Sequence, residues 1–227
     1  MTLPDHFFRY LLIATVILLA GIAVVIIQTS VENPGLAPLD PAALQARAAY
    51  HKNTVMPFMT EAYSRLFFMN AVIALFILMV PLSGVWIWWI RRDIPDMTIM
   101  FMRGTVCFLT FALGHNSFTR VAITYQLLPL PVLATMYLPH GLLEMPAFVL
   151  AGTSAFLCID ALKMHLREHA HPHVLRPGDI GLFILGRLWK PGLLILFLMG
   201  IAAAVECLVT PVLVESAFEA ALLTGAG

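Results

Sequence analysis

Uncharged apolar runs as long as a bilayer is thick constrain this chain more than any other feature. Residues 10–28 contain no Asp, Glu, Lys or Arg, and neither do residues 66–90. An α-helix needs about 20 residues to cross about 30 Å of hydrocarbon. Two such runs, with further apolar runs broken only by a few charges or by prolines, predict an all-α fold, a polytopic membrane helix bundle. Composition removes the soluble alternative. The 227 residues are 60% hydrophobic and 11% charged, against about 25% charged in a soluble domain. The formal net charge is zero, so no basic field points to nucleic acid. The implied partners are membrane lipids and either partner membrane proteins or further copies in a homo-oligomer.

Five spans are expected, in one transmembrane domain covering residues 1–227: about 10–28, 66–90, 97–113, 142–162 and 191–214. The first has too long an apolar run for a cleaved signal peptide and no Ala-x-Ala after it, so it reads as an uncleaved anchor. Between it and the second span lies a polar segment, 29–64, broken early by Pro34, Gly35, Pro38 and Pro41. Asp40 before Pro41 makes an N-cap with proline at the first helical position, predicting a short amphipathic helix from Pro41 to Lys52. In the second span, Pro81, Ser83 and Gly84 predict a kink, and Trp86, Trp88 and Trp89 form an aromatic belt ahead of Arg91 and Arg92.

Prolines at 129, 131, 139 and 146 interrupt the next stretch. Irregular backbone at membrane depth survives only when protein or a cavity shields it. The sequence therefore predicts a proline-broken or re-entrant element around 121–146, or one long broken helix between about 121 and 162. Pro191 is expected near the first helical position of the last span.

Orientation follows from Lys and Arg. With five crossings, Arg9, Arg91, Arg92, Arg103, Lys163, Arg167, Arg176, Arg187 and Lys190 fall on one side. Arg47, Lys52, Arg65 and Arg120 fall on the other. The nine-to-four bias puts the N-terminus inside and the C-terminus outside; the expected location is the cytoplasmic (inner) membrane of a prokaryote. Segment 29–64 is then outside and 163–190 inside.

The polar residues expected at membrane depth are Asn70, His115, Asn116, His140, Glu144, Glu206 and Thr210. His140 and Glu144 are four apart, hence on one helical face. A charge at mid-bilayer costs roughly 2.5–3.5 kcal/mol on insertion scales, so such a pair faces a partner or a water-filled cavity. His140, Glu144 and Glu206 read three ways: a structural network pinning broken helices, a proton or cation relay, or a metal site of one imidazole and two carboxylates. Any cofactor is left undefined. His165, His169, His171 and His173 lie on a polar segment and read as a solvated, pH-sensitive surface. Cys107, Cys158 and Cys207 lack metal spacing and read as small buried residues. No GxxxxGK[ST], GxSxG or HExxH occurs, so no ATPase, serine hydrolase of that type or zincin is indicated.

Pro139-His140-Gly141-Leu142-Leu143-Glu144-Met145-Pro146-Ala147, with Ala151-Gly152 after it, resembles the central motif of the stage II sporulation protein M family. Glu206-Cys207-Leu208-Val209-Thr210-Pro211 resembles that family's glutamate and Thr/Ser-Pro in the last span, and Asn70 also fits. The likeness covers roughly residues 60–214; segment 29–64 and the His-rich tract 163–173 depart from it. It implies a five-helix integral membrane protein; the family's founding member resembles a scaffold that recruits peptidoglycan-degrading partners at a septal membrane. Three functions compete: a non-enzymatic scaffold or accessory subunit of a cell-envelope complex, a small transporter or ion pathway using His140, Glu144 and Glu206, and an intramembrane metal-dependent enzyme.

Overall fold

A computed structural model describes residues 6–33, 37–91, 94–125, 127–168 and 175–224, with side chains throughout these except at 60 and 116–125. Every described element is a helix: α1 Phe7–Glu32, α2 Pro41–Tyr50, α3 Met56–Glu61, α4 Tyr63–Leu78, α5 Ser83–Arg91, α6 Asp96–Tyr125, α7 Leu130–Glu168, α8 Pro177–Ala204 and α9 Thr210–Thr224. Four helical stretches have the length and apolarity to cross a membrane, or five if the bent pair Pro41–Met59 and Tyr63–Leu78 forms one span. Among the described residues the fold is thus all-helical, with four to five candidate membrane spans.

Local chemistry sets the helix limits. The Asp40 carboxylate accepts the Ala43 N–H at 2.7 Å, the expected cap of α2. The kink at Pro81 is a single 3₁₀ turn, Val80–Leu82, between α4 and α5, because proline has no N–H for the helical ladder. Two π-helical turns, His51–Val55 and Val205–Val209, each end two residues before a proline, Pro57 and Pro211. In both, the proline leaves the carbonyl four residues earlier without its donor, and the ladder widens by one residue.

The helices alternate in direction. Leu39 N–H donates to Leu127 O at 3.1 Å, and Lys52 pairs with Glu215 at 2.5 Å. These contacts put the α1–α2 segment, the α6–α7 turn and α9 at one end. At the other, Lys163 pairs with Asp96 at 2.7 Å, and Trp88 Nε1 donates to Leu175 O at 3.3 Å. That end gathers the starts of α1, α6 and α8 and the ends of α5 and α7. Helix α7 is the axis: 61% of its most apolar eighteen-residue window is buried, against 28% for α1. Its Ala147–Leu162 half contributes much of the main core, and a smaller cluster of Leu44, Val132, Val214, Ala217, Phe218 and Ala221 closes the α9 end.

Several boundaries differ from the sequence expectation. Among the described residues no re-entrant element forms around 121–146. Helix α6 continues to Tyr125, the chain turns at 127–129, and α7 runs unbroken through Pro139 and Pro146. The two prolines are seven residues apart, so their ladder gaps fall on one face of a helix packed on several neighbours. The third and fourth spans are therefore longer than predicted. Pro191 lies inside α8, which begins fourteen residues earlier at Pro177, so much of segment 163–190 is helical rather than loop.

Candidate functional site

Helix α7 carries two buried-edge carboxylates, Glu144 and Asp160, sixteen residues or about 24 Å apart along the axis. Each is met by side chains from neighbouring helices.

At the first, Asn70 of α4 donates its Nδ2 to Glu144 Oε1. Glu206 approaches from the π-turn between α8 and α9 and lies within electrostatic reach of Glu144. His140, one turn along α7, has a buried Nδ1 without a partner among the described residues, and Thr210 has a buried Oγ1 in the same condition. The predicted group is thus only partly assembled. Asn70 and Glu144 bond, Glu206 lies within electrostatic reach of Glu144, and the expected hydrogen bonds from His140 and Glu206 do not form. His115 lies elsewhere, with its Nε2 at 3.3 Å from Gln28 Oε1 of α1. Among the described residues no three His, Cys, Asp or Glu side chains come close enough to hold a metal. The metal candidates His140, Glu144 and Glu206 therefore do not converge as a ligand set.

The sequence did not single out the second site. Tyr10 of α1 donates its hydroxyl to Asp160 Oδ2, and Arg103 of α6 donates to Asp160 Oδ1 as an ion pair. The Tyr10 ring stacks on Phe156 with centroids 5.4 Å apart at 15°. One carboxylate thus fastens three helices. Asp160 is two residues from the end of a predicted span, and Arg103 is six residues past the start of an oppositely directed one. Opposite charges at the same depth were the available signal.

The remaining polar groups divide between the ends. His165 stacks on Phe183 at 4.2 Å, with Arg187 over the same ring at 4.7 Å. His169, His171 and His173 lie outside the described residues, as does the Asn116 side chain. Cys158 and Cys207 are buried and Cys107 is half-buried, all three free.

Comparison with family models, curated proteins and solved structures gives no match to this chain.

Proposed function

We propose that this multi-pass membrane protein is a non-enzymatic scaffold or accessory subunit of a membrane complex. The resemblance of residues 139–147 and 206–211 to stage II sporulation protein M gives the class of complex, one serving the cell envelope or peptidoglycan. The observation that carries the reading is the closure of Glu144 on Asn70. The carboxylate at the heart of the motif is used to join α4 to α7. Asp160 does the same for α1, α6 and α7. Polar groups used up as fasteners leave an outer surface free to meet lipids and other membrane proteins.

A second reading, a proton or cation pathway, is favoured by one arrangement. Glu206 lies within electrostatic reach of Glu144, and His140 Nδ1, one turn from Glu144, and Thr210 Oγ1, four residues from Glu206, are buried and unpaired among the described residues. Like charges in an apolar setting are costly, and a proton or monovalent cation between them removes the cost. The metal-enzyme reading has no converging ligand set to support it among the described residues.

Glu144→Gln separates the two. The amide still accepts from Asn70 but cannot ionise. A scaffold keeps its cross-linked partners in native membranes, with a modest loss of thermal stability. If the folded variant keeps those partners but loses ion flux in proteoliposomes that the wild type shows, the scaffold reading fails.

A further inference from the structure

The end of the bundle that carries α9 holds a cavity of about 290 Å³ between the α2 end, the first π-turn, the α6–α7 turn and α9. We propose that this cavity binds an acyl segment of an anionic membrane phospholipid, with the lipid phosphate on Arg47.

Its walls are divided by polarity. Leu39, Leu127, Leu128, Met136 and Phe218 make the apolar part. Arg47, Tyr50 and His51 supply the polar part. This is the usual composition of a small-molecule site, an apolar body with a few placed polar groups. The volume sits at the lower bound of the roughly 300–1,000 Å³ such sites occupy, which suits a length of chain rather than a whole lipid.

The charges favour an anion. Lys52 is taken by Glu215 at 2.5 Å, and Glu219 also acts on Lys52. Glu215 of α9 is thereby taken up by Lys52, while Arg47 makes no ion pair among the described residues. A guanidinium matches phosphate with two parallel hydrogen bonds. His51 is only 6% exposed, and its Nδ1 has no partner among the described residues. Its ring leans on Phe218 with centroids 6.0 Å apart. Burial pushes the imidazole below its ordinary value, with Glu215 opposing. At neutral pH it is therefore a neutral group with one donor and one acceptor, and the positive charge at the site belongs to Arg47.

The π-turn makes the site possible. It begins at His51, which is buried, while Arg47, one turn earlier, and Tyr50, the preceding residue, stay exposed at the mouth.

The full chain, purified in dodecyl maltoside, is titrated with phosphatidylglycerol and with phosphatidylcholine, and bound lipid is counted by native mass spectrometry. Phosphatidylglycerol is expected to bind more tightly. Arg47→Gln, an exposed change that keeps the fold, weakens it at least about tenfold, the loss of one charge-assisted contact. Met136→Trp fills the cavity and abolishes the bound lipid. Arg91→Gln, at the opposite end, changes nothing. The proposal is overturned if phosphatidylcholine binds equally well, if Arg47→Gln and Met136→Trp both keep wild-type affinity, or if Arg91→Gln costs as much as Arg47→Gln.

Discussion

Glycines separate into two kinds that the sequence does not distinguish. A Cβ on Gly21 would stand 2.3 Å from Phe111 O, and one on Gly114 would stand 2.3 Å from Leu18 O. Both oxygens are backbone, so α1 and α6 would have to part. A Cβ on Gly104 or Gly141 meets nothing within 4 Å. Gly21→Ala and Gly114→Ala should therefore lower the unfolding midpoint in detergent. Gly104→Ala and Gly141→Ala should hold or raise it, since alanine favours a helix by up to about 1 kcal/mol. The reverse order would show that α1 and α6 do not touch there. His51 gives a second residue-scale expectation. Its folded-state value is depressed below the ordinary 6.5, chiefly by burial. The unfolded chain therefore takes up the proton first as pH falls. The stabilising contribution is complete above about 6.5 and is lost as pH drops through the folded value. Unfolding midpoints between pH 8 and 5 should fall towards the acid side, and His51→Phe should flatten that slope.

Helices here are shaped by where proline withholds a donor. Pro57 and Pro211 each come just after a π-turn, Pro81 sits in a 3₁₀ turn, and Pro139 and Pro146 pass without a break. The outcome depends on whether neighbouring helices hold the flanks in line. The second π-turn sets the azimuth of α9, because one extra residue in the ladder rotates the rest of the helix by about 100°. Pro211→Ala restores the missing N–H and lets the turn close to α. Glu215 should then swing away from Lys52. Cross-linking of a Lys52→Cys, Glu215→Cys pair with a short bismaleimide, which replaces the reach of the two long side chains that a disulfide lacks, reports this directly. The pair should link readily alone and poorly with Pro211→Ala added, and an undiminished yield would mean the proline does not set the turn.

The whole bundle has two chemically different ends. One gathers Arg9, Arg91, Arg103, Lys163, Arg167, Arg176, Arg187 and Lys190 around Asp96, Asp160 and Asp179, and the other carries Arg47, Lys52 and Arg65. Alternating helices put the start of α1, the end of α7 and the start of α8 on the same side, as five crossings require. From the basic excess we propose that this side faces the cytoplasm. In intact cells, an impermeant thiol reagent should label Lys52→Cys and spare His171→Cys, in a background lacking the native cysteines. Outside labelling of His171→Cys reverses the topology.

Sequence alone determined what depends on neighbours within a turn or two. Helicity comes from apolar runs that only a helix can carry into hydrocarbon. The Asp40–Pro41 start and the Pro81 kink come from a local cap and a missing donor. Glu144 could be singled out because its cost is local to its own helix. What it binds was not legible, since Asn70 lies 74 positions away and meets it only because α4 packs on α7. The same holds for Tyr10, Arg103 and Asp160, brought together from three helices, and for Gly21 and Gly114, whose lack of a side chain matters only where two backbones touch. Continuity of α7 through two prolines is likewise a tertiary decision. A missing hydrogen bond breaks a helix in isolation, but surrounding helices that fix both flanks keep it continuous.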